Sequence, residues 1–336
     1  MPTLPVLDGR LLQGNSVPCR SFARPFLDAC RLAGGCYLAD PPVPAGVCRR
    51  VLDAAAAFFG LPAGEKAAVH ISKSSHFRGY SEMRNERDWR EQVHFGPELP
   101  AAGDGPEYLR LQGPNLWPAG LGEDWRAAVL GYLDAVGALG RRLLQALALE
   151  LGLPDECLPG SPSAPPYLLM KFIHYHPRPE GQPARPGVAP HCDWSWITVL
   201  LQSEVGGLQV RTPAGEWRNV PPLAGTLVIT LGELVQVAAG GRLEASPHRV
   251  SNHSVREPRV SVPVFINPAL PSLVWPAGSG PAAGDTPPAP PAGDRAEHVH
   301  RVLAPGVAPR PFVFGESEWA RKGLGRWCHD PVCLRR

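Results

Sequence analysis

The rhythm of apolar positions changes near the middle of the chain. In the first half, apolar residues recur every three or four positions, the spacing of one buried helix face. This predicts helices over 20–31 and 47–59, stopped by Gly34-Gly35 and by Gly60-Leu61-Pro62. The longest stripe, Trp125, Val129, Leu133, Val136, Leu143, Leu147 and Leu151, predicts a helix over Glu123–Leu151. A short strand is expected over 36–39, and residues 67–120, strewn with Gly and Pro, read as loops. The second half breaks into short β-like runs at 167–175, Ile197–Gln202, Leu208–Arg211, Thr226–Leu231, 234–238 and Arg259–Ile266. Such runs, divided by Gly, Pro and Asn, mark an antiparallel sandwich or barrel of the jelly-roll kind. The expected fold is α+β with a mainly β core, flanked by helices from the N-terminal half. We expect a helical region over 1–160, a β core over 161–275, and a flexible Pro/Gly loop with a C-terminal extension over 276–336.

Composition narrows the class. With 336 residues, 44% hydrophobic and 19% charged, the chain can bury a sizeable core and is not a disordered protein. A net charge of +2 gives no field that would favour nucleic acid or an anionic membrane surface. The eight cysteines are spread without paired spacing, which argues against a disulfide framework. No apolar run approaches the ~18 residues of a membrane span, and the first residues lack the pattern of a secretory signal. A cytoplasmic monomer acting on a small molecule is expected.

The chemistry concentrates in GVAPHCDWSWITVLLQ. If the run is a strand, His191 and Asp193, two apart, point to one face and can share an ion. Cys192 between them then faces away. His248 follows 55 residues after Asp193, and a jelly roll can fold it back to supply a third ligand. Two imidazoles and one carboxylate with open positions suit non-haem Fe(II) chemistry. On the run RVSVPVFIN, Arg259 and Ser261 share a face whose opposite side (Val260, Val262, Val264, Ile266) is apolar. An Arg fork and a Ser hydroxyl can grip a carboxylate, and the Tyr175 phenol can join them. His174 and His176 flank Tyr175 and are weighed as a second metal pair, but a second site there is disfavoured. His298 and His300 read as solvated, and Cys328 and Cys333 as a tail rather than a zinc site.

These residues carry a resemblance to a family. With Leu4-Pro5-Val6-Leu7-Asp8, Phe58-Phe59-Gly60-Leu61-Pro62, Glu65-Lys66, Arg78-Gly79-Tyr80, the 205–210 run, Gly232-Glu233 and His248-Arg249-Val250, they form an ordered set across roughly residues 3–270. The set resembles the isopenicillin N synthase-like branch of the 2-oxoglutarate/Fe(II)-dependent dioxygenases. The resemblance implies a distorted double-stranded β-helix (jelly roll) holding Fe(II) through His191, Asp193 and His248. It implies 2-oxoglutarate gripped by Arg259, Ser261 and Tyr175, O2 as oxidant, and ascorbate as an accessory reductant. The reaction implied is decarboxylation coupled to hydroxylation, desaturation or ring closure. His176 stands before Pro177 where the family usually has proline directly after the tyrosine. The Phe77–Ser81 stretch lacks features of isopenicillin N synthase itself, which disfavours penicillin formation.

Tyr80, Trp194, Trp196 and Phe265 are the candidates for lining a mouth that takes a small apolar or aromatic, flavonoid-like molecule. Two other readings stay open: a same-fold oxidase or cyclase that does not use 2-oxoglutarate, and a non-catalytic β-helix that binds a metal or ligand.

Overall fold

The computed structural model describes residues 4–13, 20–152, 165–178, 180–181, 185–252, 254–275 and 311–322. Two helices stand where the apolar rhythm put them, at Arg20–Ala33 (α1) and Ala45–Phe59 (α2), and a short α3 follows at Ala63–Ala68. The long stripe becomes one 29-residue helix, Glu123–Leu151 (α4), closed by Gly152 in the left-handed conformation. Its buried face carries Trp125, Val129, Leu133, Val136, Leu143 and Leu147. Two glycines let it lie close to the sheet: a Cβ on Gly137 or Gly140 would come 2.7 Å from Leu168 or Ile266.

The β core is two sheets. The strands are Val6–Asp8 (β1), Gly35–Ala39 (β2), Gly79–Arg84 (β3), Trp89–Phe95 (β4), Leu168–Tyr175 (β5), Arg185–His191 (β6), Ile197–Gln202 (β7), Leu208–Arg211 (β8), Trp217–Asn219 (β9), Thr226–Leu231 (β10), His248–Asn252 (β11) and Arg259–Ile266 (β12). Eight form a major sheet in the order β1-β2-β10-β7-β12-β5-β4-β3, and β6-β11-β8-β9 form a minor one. A cavity of about 1,120 Å³ is lined by both sheets. Strand alternation sorts the side chains of the major sheet. On β12 the residues Arg259, Ser261, Pro263 and Phe265 line the cavity, while Val262, Val264 and Ile266 are fully buried in the core cluster shared with α4. On β5 the cavity takes Leu169, Lys171, Ile173 and Tyr175, and Phe172 packs edge-on against Trp125.

The structure departs from the sequence reading in three places. Residues Glu233–Ala238 are a helix (α5), not a strand. Gly232 stands at its N-cap position, and the Gly232 and Glu233 N–H groups dock on the Trp196 and Asp193 carbonyls, which fixes the helix start against the β preference of the valines. The N-terminal region is not only helical, because β1 to β4 join the major sheet and two of them lie in the supposed loops of 67–120. Within 276–336, the described residues 311–322 hold a strand Phe312–Val313 (β14), which pairs with Leu273–Val274 (β13), and a helix Phe314–Arg321 (α6) whose residues reach the cavity. The Pro/Gly loop, His298, His300, Cys328 and Cys333 lie outside the described residues.

On the sheet face away from the cavity, Glu91 is buried with a ring of partners. Lys66 Nζ is 2.7 Å from Oε2, the Tyr80 hydroxyl donates to Oε2 at 2.9 Å, and His174 Nδ1 is 3.1 Å from Oε1. Burial alone would raise this carboxyl, but contacts from His174, Lys66 and Tyr80 outweigh it and hold it at about 2. A folded value below the ordinary 4.5 makes its contribution complete above about pH 4.5 and lost as pH falls towards 2. Lys66→Met leaves the carboxylate buried without its cation, a loss of about 3–5 kcal/mol. Urea titration at pH 7 should show that loss, with a flatter acid dependence between pH 4.5 and 2 than in the parent protein.

Candidate active site

Cross-strand pairing builds the centre. Strand β11 runs antiparallel to β6 so that His248 lies directly opposite His191, and their ring centroids are 4.3 Å apart. Strand β6 ends at His191, so Asp193 reaches the same place by a bend rather than by strand alternation. That bend is held by backbone bonds: Glu233 N–H donates to the Asp193 carbonyl at 2.8 Å and Gly232 N–H to the Trp196 carbonyl at 2.9 Å. A Cβ on Gly232 would sit inside the Ser195 carbonyl, so only glycine allows the approach.

The Asp193 side chain is 6% exposed, with Oδ1 3.5 Å from His191 Nε2 and Oδ2 3.7 Å from His248 Nε2. Thr198 Oγ1 donates to Oδ2 at 2.6 Å and fixes the plane of the carboxylate. Burial would raise this carboxyl, but His248, His191 and Thr198 reverse the effect and keep it ionised. Each imidazole is oriented through its other nitrogen. His191 Nδ1 lies 3.0 Å from the Ala189 carbonyl, and His248 Nδ1 lies 3.0 Å from the Ser246 carbonyl. Both carbonyls can only accept, so each Nδ1 carries a proton and each Nε2 is turned to the carboxylate.

A second corner of the cavity carries one guanidinium. Arg259 is 2% exposed, yet its Nε and Nη1 have no hydrogen-bond partner. Its Nη2 donates to Gln202 Oε1 at 2.9 Å, and it lies 4.9 Å from the ring centroid of Tyr175, its direct cross-strand neighbour. Ser261 lines the cavity two residues along the same strand face.

Residues 166–268 match the 2OG-Fe(II) oxygenase superfamily, and residues 4–120 match the N-terminal region described as non-haem dioxygenase in morphine synthesis. The 2-oxoglutarate-Fe(II) type oxidoreductase hxnY of Emericella nidulans is 33% identical over 279 residues, 78% of this chain and 79% of that one. The chain belongs to the 2-oxoglutarate/Fe(II)-dependent oxygenases. The fold of these oxygenases is shared with a family protein from Caulobacter crescentus, at TM-score 0.74 and 23% identity over 97% of this chain and 100% of that one. It is shared also with a full-length Neurospora crassa protein solved in complex with alpha-KG and 5-formyluracil, at TM-score 0.71 and 22% identity over 96% of each chain. The protein is therefore an oxidoreductase that works with Fe(II), 2-oxoglutarate and O2 on a small molecule. Among the described residues no helix is long and apolar enough to cross a membrane.

The residues present fit these groups. Two imidazoles with Nε2 turned to one place and an ionised carboxylate between them form a preformed donor set for a divalent ion. A buried guanidinium with two idle N–H groups on the same cavity suits a dicarboxylate.

The structure divides the four residues expected at the substrate mouth. Trp194, stacked on Phe312 at 5.8 Å, and Phe265 line the cavity. Tyr80 does not, because strand alternation turns it to the Glu91 side. Trp196 is 2% exposed within the core and is not at the cavity wall. Cys192, expected to face away from the metal, does line the cavity, since the bend after β6 breaks the alternation. His174 and His176 meet at Glu91, but Lys66 and Tyr80 already occupy that carboxylate. Reading the sequence missed Thr198, which lines the cavity from β7, and Gln202, which meets Arg259 from the end of that strand, and it passed over Lys171 and His94.

The close approach at Gly232 is open to test. Gly232→Ala should push the Asp193 bend away from α5 and weaken anaerobic Fe(II) binding at least tenfold. The protein should remain folded by circular dichroism, with iron retention measured by equilibrium dialysis.

Proposed function

We propose that His191, Asp193 and His248 hold the Fe(II), and that Arg259, aided by Ser261 and Tyr175, grips the distal carboxylate of 2-oxoglutarate. The substrate on this reading is a small, flat, largely apolar or aromatic molecule, flavonoid-like in size, that is hydroxylated or desaturated. The observation that carries it is the pairing of two sites on one cavity: a buried carboxylate faced by two fixed imidazoles, and a buried guanidinium without an anionic partner.

With Fe(II), 2-oxoglutarate and O2 bound, the chemistry supplied is oxidative decarboxylation to succinate and CO2 coupled to oxidation of a substrate carbon. The chain's own part is geometric. The Ala189 and Ser246 carbonyls hold the two Nδ1 protons and so present Nε2 of each ring. Thr198 keeps the Asp193 carboxylate in place. Gln202 and the Tyr175 ring hold Arg259 so that its remaining N–H groups stay aimed into the cavity. Phe77, Trp194 and Phe265 give the cavity aromatic walls against which a flat molecule can pack. An apolar wall excludes water from the reacting carbon and limits loss of oxidant to solvent.

Asp193→Ala should abolish iron binding and turnover together, read as iron content and succinate formation. Arg259→Ala should keep iron but raise the 2-oxoglutarate concentration needed for half-maximal rate. The lost charged pair is worth about 2–5 kcal/mol, at least a roughly thirtyfold increase. Substrate-dependent O2 uptake that needs no 2-oxoglutarate would instead support the oxidase reading. The substrate class is tested with a panel of flavonoids, amino acids, short peptides and terpenoid acids, scored by stimulated succinate formation and product mass.

A further inference from the structure

The cavity is strongly lopsided in charge. Its lining holds eight Lys and Arg side chains against four carboxylates. One of those carboxylates is Asp193, at the metal donor set, and Glu318 is taken by Lys322 at 2.7 Å. Among the cations, Lys171 stands on β5, four residues before Tyr175 on the same face, a separation of about 13 Å along the strand. The Arg259 corner is therefore a different place from the Lys171 corner.

Lys171 has no ion pair among the described residues, and its ammonium lies 5.1 Å from the ring centroid of Phe265. Along the same cavity wall, buried polar groups have nothing to bind. His94, directly opposite Lys171 in the β4–β5 pairing, is 2% exposed, and neither ring nitrogen has a partner. Arg90 meets Asp88 and the Met83 sulfur through Nη2, and its buried Nε is idle. Asn267 Oδ1, also buried on the cavity wall, has no donor. Buried polar groups left unpaired are costly, so a cluster of them facing one cavity marks the footprint of a ligand that completes them. Burial first, then Arg90 and Lys322, draws the Lys171 ammonium down to about 7, against the opposing pull of Asp193 and Glu318.

Resting on the functional reading above, we infer that the substrate carries a carboxylate, seated on Lys171 with His94, while its flat body lies against Phe265. An ammonium packed on an aromatic ring can hold an anion and a ring at once, which a purely neutral flavonoid would not use. The substrate class narrows from flat apolar molecules to small aromatic or unsaturated acids.

The test compares acids with their neutral amides on the protein loaded with Fe(II) and 2-oxoglutarate under anaerobic conditions. The probes are cinnamate and cinnamamide, nicotinate and nicotinamide, and indole-3-carboxylate and its amide, titrated by calorimetry. At least one acid should bind ten times or more tightly than its amide. Lys171→Gln should erase that preference and Lys171→Arg should keep it. The inference is overturned if no acid outbinds its amide, or if Lys171→Gln retains the full preference. Loading with 2-oxoglutarate is followed separately. If it binds and the acids show no preference, only the carboxylate inference falls. If the iron-loaded protein takes up no 2-oxoglutarate, the reading of the site itself falls with it.

Discussion

The buried Asp193 carboxylate, faced by two imidazole nitrogens, is the interaction around which the rest of the molecule is arranged. A carboxylate removed from water is costly unless compensated, and the compensation here is distributed over several elements. The β6–β11 pairing brings the histidines opposite each other. Helix α5 anchors the bend at Asp193 through Glu233, and Gly232 lets the backbones meet. Thr198 on β7 supplies the remaining hydrogen bond from the major sheet. The centre thus ties both sheets together. A divalent ion at the two Nε2 atoms would complete a set of donors that the protein already holds in place.

The major sheet separates two kinds of electrostatics. Its cavity face carries Arg259, Lys171 and His94, whose charge or hydrogen-bonding capacity is largely unmatched by protein partners. Its helix face carries Glu91, matched by Lys66, Tyr80 and His174. The same alternation of side chains places Glu91 and Gln92 on opposite faces of one strand. The Glu91–Lys66–Tyr80 cluster on one face stabilises the packing of helix on sheet, and idle groups on the other await ligands. The two histidine–carboxylate clusters therefore differ in kind although their residue types coincide: Glu91 already has a lysine, whereas Asp193 has no cation beside it other than what the histidines can supply.

Much of this was legible in the sequence, for identifiable reasons. Where a segment is long and regular, as in Glu123–Leu151 or Arg259–Ile266, the apolar period alone marks the element, and the β12 alternation sends Arg259 and Ser261 towards the cavity. The pairing of His191 with His248 was suggested by residue type, but its register needs a partner strand that no local pattern reveals. Asp193 joins His191 and His248 through a bend, so strand alternation pointed to it for the wrong local reason, and it misplaced Cys192. Leu234–Ala238 read as a strand because its valines favour one, while the helix start at Gly232 depends on docking against 193–196. Tyr80 and Trp196 looked like mouth residues because aromatics near ligands suggest a pocket. Which face they occupy is decided by the β3–β4 pairing and by core packing, which are long-range.

The central claim is that one iron sits between His191, Asp193 and His248. Crystals grown with Fe(II) under anaerobic conditions, measured on both sides of the iron absorption edge, locate the ion directly. The account predicts one anomalous peak within bonding distance of both Nε2 atoms and an Asp193 oxygen, with none at Glu91, His174 and His176. A peak at the Glu91 cluster with the Asp193 position empty would contradict it.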